Sequence, residues 1–122
     1  MKKNLLFTVL FIVYITNSFA QEKNKNLVLD VKGNCGMCKA RIEKACQKMK
    51  GVKFASWDIA SKKLSLVLDE AKCSPLEVKK IIASVGHDTD ETKANLDTYE
   101  KLPACCKYRD PNSINMDHSG KH

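Results

Sequence analysis

The chain has 122 residues and a formal net charge of +7, with 43% hydrophobic and 29% charged residues. At roughly 100–200 residues per domain, this length allows one domain. The apolar content and the interspersed charges favour a packed globule over a disordered chain. Lysines are scattered among acids and aromatic residues are few, so the sequence lacks a stacking platform and nucleic acid is not an expected partner.

Residues 1–20 have the pattern of a secretory signal peptide. Lys2 and Lys3 precede an apolar run at residues 5–15, and small residues end the segment at Ala20. The apolar run falls short of the roughly 20 residues that span a bilayer, which argues against a retained membrane anchor. Loss of the two lysines would lower the net charge from +7 to +5. We therefore expect a periplasmic or secreted protein without stable membrane insertion after cleavage.

A strand and a helix are predicted next. Residues 27–32 alternate apolar and polar side chains, as in a strand with one buried face. From Cys38 to Met49, apolar residues recur at helical spacing opposite a charged face. Gly51 is a suitable C-terminal stop for this helix.

A β-hairpin and a second helix follow. Residues 52–59 and 63–68 alternate again around a short turn, and Ile59 is assigned to the buried face of the first strand. Ser74 and Glu77 have the spacing of a capping box, with a proline at the first helical position between them. The second helix is expected to end before Gly86.

The polar segment at residues 87–94 gives only a weak signal for an edge strand. The element order is then strand, helix, strand, strand, helix, strand. This order predicts an α+β, ferredoxin-like βαββαβ fold with two helices on one antiparallel sheet. A short ordered piece is expected at residues 99–108, and a polar, mobile tail from Arg109 onward.

Cys35 and Cys38 lie where the first strand passes into the first helix, at CxxC spacing. Their sulfurs can converge on one atom. Backbone amides, the helix dipole and the neighbouring Lys39 and Arg41 are expected to lower the pKa of these thiols. Two thiolates suit a soft ion of low coordination number, copper(I) first and mercury(II) second, whereas zinc would require four ligands.

The spacing alone leaves two other interpretations open. A thioredoxin-like redox pair has the same strand–CxxC–helix layout, and a static disulfide between the two cysteines is also compatible with it. The redox interpretation lacks a proline placed to face the CxxC and a second βαβ block.

The segment Val-Lys-Gly-Asn-Cys-Gly-Met-Cys-Lys-Ala-Arg-Ile-Glu-Lys-Ala at residues 31–45, with Gly51-Val52, Trp57-Asp58 and Gly86-His87-Asp88, resembles the heavy-metal-associated domain family. This family includes copper chaperones, metal-binding domains of copper-transporting ATPases and the exported mercury-binding protein. The resemblance covers residues 27–93 and leaves residues 94–122 as an extension with a tail.

The resemblance implies a βαββαβ fold, metal ligation by Cys35 and Cys38, and a metal-transporting ATPase or another metal-trafficking protein as partner. One departure concerns the loop before the first cysteine. The family's usual approach is Gly-Met-Thr, whereas here Gly33 is followed by Asn34 alone, and Met37 lies between the cysteines.

Four further cysteines lie outside the CxxC. Cys46 falls on the inward stripe of the first helix and Cys73 precedes the second, so a structural disulfide between them is one hypothesis and two buried free thiols are the other. The adjacent Cys105 and Cys106 cannot readily bridge each other. They are candidates for metal ligation or for disulfides elsewhere, and one of them could join the CxxC if the extension folds back.

The C-terminal residues offer additional ligand types. Met116, His118 and His122 could collect copper ions, although a solvated tail with incidental side chains is an equal alternative. His87 is expected to pack at the helix end.

The sequence thus predicts an exported, non-enzymatic protein that captures copper(I) through Cys35 and Cys38 for transfer or sequestration. Mercury(II) detoxification and thiol–disulfide exchange are the alternative functions.

Overall fold

A computed structural model of the protein describes residues 21–115. The predicted signal peptide and the candidate ligands Met116, His118 and His122 lie outside the described residues. Within residues 21–115, no helix is long and apolar enough to cross a membrane.

The secondary structure follows the predicted order from the first strand to the second helix. It comprises β1 (Lys25–Asp30), α1 (Gly36–Gln47), β2 (Val52–Trp57), β3 (Lys63–Leu68), α2 (Pro75–Ser84), α3 (Leu96–Glu100) and two 3₁₀ turns, Ala104–Cys106 and Pro111–Asn115.

The three strands form one antiparallel sheet in the order β1-β3-β2. Leu66 at the centre of β3 pairs with Leu27 of β1 and Ala55 of β2. The apolar faces of α1 and α2 pack in the same core cluster as the sheet, with Ile42 and Ile82 fully buried. The predicted ferredoxin-like α+β fold is therefore confirmed.

The hairpin differs from the prediction at one residue. β2 ends at Trp57, which is fully buried, whereas Ile59 is 39% exposed and lies in the turn. The reason is that the turn begins at Asp58, whose backbone N–H donates to the carbonyl of Lys63 and whose carboxylate accepts from the amide of Ser61. Alternation therefore stops before it reaches Ile59.

The predicted fourth strand is absent from residues 87–94. Its place is taken by a single antiparallel bridge between Val31 and Thr89. The segment turns back on itself, because the amide of Thr89 donates to the carbonyl of Thr92 and the two hydroxyls are 2.8 Å apart. Local polar pairing thus replaces the ladder that an edge strand would have made.

The second helix begins with the predicted capping box. The amide of Glu77 donates to the hydroxyl of Ser74 at 3.2 Å, and the amide of Ser74 donates to the carboxylate of Glu77 at 2.9 Å. Beyond the helix, Gly86 has φ of +105°, and a Cβ there would lie 2.9 Å from Leu102. Glycine at this position therefore lets the extension pack directly on the helix end.

The extension is part of the core. Tyr99, Leu102 and Cys106 are at most 6% exposed and belong to the main hydrophobic cluster. The tail predicted to be mobile from Arg109 is also held over its first residues, because the Arg109 guanidinium pairs with Asp88. The charge pair and the buried apolar residues explain why the chain folds back here.

The hypothetical Cys46–Cys73 disulfide is not formed. Both residues are buried free thiols. Burial raises the pKa of Cys46 to about 12, and burial also raises the pKa of Cys73. These two cysteines therefore behave as small core residues.

Candidate metal centre

The CxxC pair occupies the start of α1. Cys35 is the N-cap residue with an extended backbone, and Cys38 lies in the first turn. Their sulfurs are 3.5 Å apart, and the side chains are 2% and 0% exposed. The strand–helix junction therefore directs both sulfurs to one point, as the spacing predicts.

The extension brings two more sulfurs to this point. The Sγ of Cys35 lies 3.4 Å from that of Cys105 and 3.4 Å from that of Cys106, which are 3.8 Å from each other. These three sulfurs all lie within 4.8 Å of one another. Of the predicted ligands within the described residues, Cys35, Cys38, Cys105 and Cys106 are thus brought together.

Three of the thiols, those of Cys35, Cys38 and Cys106, differ in their pKa values. The pKa of Cys38 is lowered from its ordinary value of 9.0 to about 5, chiefly by a hydrogen bond with the Cys106 thiol and also by the amides of Asn34 and Cys35. Burial raises the pKa of Cys35, and the bond with Cys38 together with burial raises that of Cys106. The cluster therefore holds a thiolate at Cys38 beside protonated thiols at Cys35 and Cys106.

The predicted thiolate at CxxC is thus borne out for Cys38 and wrong for Cys35, which is too buried. The expected helper Lys39 points elsewhere and pairs with Glu43 and the carbonyl of Trp57. Arg41 does reach the cluster, with a guanidinium nitrogen 3.4 Å from the Sγ of Cys106.

Two side chains from the loop contact the extension. The Sγ of Cys105 lies 3.6 Å from the Sδ of Met37, which is half exposed. The side-chain amide of Asn34 donates to the Ser113 hydroxyl at 2.8 Å. The residues that replace the family's usual Gly-Met-Thr approach therefore hold the extension over the loop.

His87 packs at the end of α2, as predicted. It is fully buried, stacks on Tyr108 with ring centroids 5.5 Å apart, and donates from Nδ1 to the carbonyl of Lys32 at 2.8 Å. Burial lowers its pKa, so the ring is neutral near pH 7. Its Nε2 has no hydrogen-bond partner among the described residues.

Sequence reasoning missed the residues that fix the extension. The Arg109 guanidinium donates to both carboxylate oxygens of Asp88 at 2.8 and 3.1 Å and to the carbonyl of Ala94 at 2.7 Å. The Tyr108 hydroxyl donates to the carbonyl of Gly86 at 2.6 Å. Periodicity gives no sign of these contacts, since the segment is polar and irregular.

A tetrahedral zinc shell requires four nitrogen or sulfur ligands. The CxxC alone provides two, which disfavours zinc, but the folded chain gathers four sulfurs. The number of available ligands therefore does not separate zinc from the softer ions, although Cys38 lies outside the mutually close set formed by Cys35, Cys105 and Cys106.

Comparison with known proteins identifies the family. The model of the heavy-metal-associated domain matches residues 28–88, and the chain belongs to this family. It is 28% identical over 94 residues to a copper-exporting P-type ATPase of Bacillus subtilis, a match that covers 76% of this chain and 12% of the ATPase. It is 30% identical over 63 residues to a zinc-transporting ATPase of Synechocystis, covering 52% of this chain and 9% of that protein.

Solved structures agree with the fold. The CopZ metallochaperone is 29% identical with a TM-score of 0.52, covering 53% of this chain and 98% of CopZ. Oxidized MerP from Ralstonia metallidurans is 25% identical with a TM-score of 0.53, covering 55% of this chain and 94% of MerP. The chain therefore contains a metal-binding domain of the type found in chaperones and transporting ATPases.

Proposed function

We propose that this protein is exported and captures copper(I) through Cys35 and Cys38, for transfer to a metal-transporting ATPase or another trafficking protein, or for sequestration. The observation that carries the proposal is the pair of sulfurs 3.5 Å apart at the start of α1, one of them a thiolate because the pKa of Cys38 is lowered to about 5.

The donor set supports a soft metal ion. Sulfur ligands select copper(I) over hard cations, and thiolates are the form that binds. One relative is a copper-exporting ATPase, which agrees with copper as the cargo, and another is a metallochaperone, which agrees with metal transfer. Export is supported by the signal-like pattern of residues 1–20.

A competition experiment tests the proposal. Reduced protein is titrated against a coloured copper(I) chelator, alongside the variants Cys35→Ser/Cys38→Ser and Cys46→Ala/Cys73→Ala. The wild type and the second variant should each withdraw one copper(I) per chain, since Cys46 and Cys73 are buried core thiols. The first variant should lose tight binding. Equal binding by all three proteins would move the site away from the CxxC.

Mercury(II) is the second candidate cargo. Two thiolates can bind a soft ion in linear coordination, which favours this ion. A protein loaded with one equivalent of mercury(II), zinc(II) or copper(I) should be challenged with the other two ions. Displacement of zinc by copper(I), with retention of copper(I) against physiological thiols, is expected for a copper carrier. A protein that keeps zinc(II) against copper(I) would contradict the proposed cargo.

A further inference from the structure

The sulfur of Cys106 lies in the same buried cluster as the CxxC. Its Sγ is 3.4 Å from that of Cys35, and it is fully buried. We propose that Cys106 is a third ligand to the ion bound by Cys35 and Cys38, and that the extension retains this ion until the extension itself is displaced. This inference rests on the proposed function and specifies how the same site holds and releases its cargo.

The sulfur spacing fits three ligands better than two. With a metal–sulfur bond of roughly 2.3 Å, as for zinc–thiolate, two sulfurs in a linear arrangement lie about 4.6 Å apart and three in a trigonal one about 4.0 Å apart. The observed separations from Cys35 are 3.5 Å to Cys38 and 3.4 Å to Cys106. Both separations from Cys35 are closer to the trigonal spacing than to the linear one, and a linear pair would have to open by about an ångström.

Cys106 is better placed than its neighbour Cys105. Cys105 contacts Cys35 at 3.4 Å but is partly exposed, and its other sulfur neighbours are Cys106 and Met37. Cys106 lies equally close to Cys35, is fully buried, and has a guanidinium nitrogen of Arg41 3.4 Å from its Sγ. Cys106 is therefore the extension sulfur that is shielded from solvent beside Cys35 and has a cation next to it.

The surrounding charges suit a third thiolate. Copper(I) with three thiolates carries a net charge of about −2, which burial would penalise unless it is offset. A guanidinium nitrogen of Arg41 lies 3.4 Å from the Sγ of Cys106, and the backbone amide of Asn34 donates to the Sγ of Cys38 at 3.4 Å. The N-terminus of α1 adds a partial positive charge.

The position of Cys106 is fixed by the fold. Leu102 packs on Gly86, Arg109 pairs with Asp88, and the buried Ser113 hydroxyl donates to the carbonyl of Lys107 at 2.5 Å. With the extension seated, Cys35 and Cys38 are 2% and 0% exposed. A thiolate from a partner protein can therefore reach the ion only after the extension has moved.

The test compares copper(I)-loaded wild type with Cys106→Ser, Cys105→Ser and the double variant, all reduced. X-ray absorption should count three sulfurs per copper in the wild type and in Cys105→Ser, and two in Cys106→Ser and the double variant. Removing Cys106 should also weaken copper(I) binding and speed release to a chelator by about 10- to 100-fold, a range that supporting groups around metal ligands commonly contribute. Binding of one copper per chain should persist in every variant.

Several results would overturn the inference. Two sulfurs per copper in the wild type, or unchanged release from the double variant, would remove the extension from the site. A third sulfur that is lost in Cys105→Ser, or that survives in Cys106→Ser and disappears only in the double variant, would assign the role to Cys105. In each of these cases stoichiometric copper(I) binding would still support the CxxC site, whereas a wild type that binds no copper(I) would refute the proposed function itself.

Discussion

Cys38 and Cys35 are only three residues apart, yet their environments shift the pKa values of the two thiols in opposite directions. Cys38 receives hydrogen bonds from the Cys106 thiol and from two backbone amides, which together outweigh its burial and lower its pKa to about 5. Cys35 is dominated by burial, which raises its pKa. Because metal ligands must be deprotonated, ion binding should release a proton from Cys35 while Cys38 is already charged at neutral pH.

This difference predicts the pH dependence of the metal-free protein. A thiolate absorbance should rise with pH through about 5, the value to which the pKa of Cys38 is lowered, since the group is a thiol below its pKa and a thiolate above it. The step should be missing in Cys38→Ser. In Cys106→Ala it should move to higher pH, because the donor that stabilises the thiolate is removed. An ultraviolet pH titration of the reduced proteins measures this, and absence of thiolate below neutral pH would contradict it.

The CxxC site was predictable because Cys35 and Cys38 are brought together by one local junction. The approach of Cys105 and Cys106 could only be stated as a condition, since it depends on a chain reversal about 70 residues later. The pair formed by Asp88 and Arg109 gave no sequence signal, because neither residue belongs to a periodic segment.

Among the elements, α2 shows how closely local sequence determines structure. Its capping box joins Ser74 and Glu77 by two reciprocal hydrogen bonds, and Pro75 occupies the first helical position. Each of these features satisfies or removes an otherwise unpaired backbone donor at the helix start. This part of the fold could be predicted residue by residue.

The capping box should contribute measurably to stability. Ser74→Ala should lower the free energy of unfolding by about 1 kcal/mol, because the amide of Glu77 loses its acceptor. Ser84→Ala is the matched control at the other end of the same helix, where the exposed hydroxyl donates to the carbonyl of Ile81, and it should change stability by less than about 0.5 kcal/mol. Denaturant titration of both variants decides the matter, and equal effects would refute the assigned cap.

The segment at residues 87–94 shows where element prediction fails. Its position after the second helix predicted a fourth strand, but hydrogen bonds between Thr89 and Thr92 close a turn instead. The buried Lys79 of α2 then pairs with Asp90 and Glu91 at 3.1 and 2.7 Å. Short-range polar pairing and these ion pairs outweighed a weak strand preference, and period-two patterns do not report such contacts.

At the scale of the whole molecule, the domain and its extension fold as one unit around the sulfur cluster. The extension covers the CxxC and is fastened by the pair formed by Asp88 and Arg109, whose guanidinium also lies 4.3 Å from the centre of the Tyr99 ring. The ion pair that fastens the extension therefore also keeps the CxxC covered, and breaking this pair should expose the cysteines.

This coupling makes a prediction for Asp88→Asn. Loss of the charged partner of Arg109 should cost about 1–3 kcal/mol of local stability, which corresponds to roughly 5- to 150-fold more frequent opening. A maleimide should then modify Cys106 faster in this variant than in the wild type. Asp30→Asn, which removes an exposed ion pair with Lys63 on the sheet, is the control and should react like the wild type. Equal Cys106 reactivity in all three proteins would show that this pair does not fasten the extension.

The most direct measurement of the central claim is the metal that accompanies the protein in its own cells. Wild type and Cys35→Ser/Cys38→Ser should be recovered from the cell envelope and medium under anaerobic conditions and analysed for copper, mercury and zinc. We expect close to one copper per wild-type chain and almost none in the variant. Wild-type protein that carries no copper when the cells are supplied with it, or a variant that carries as much, would contradict the account.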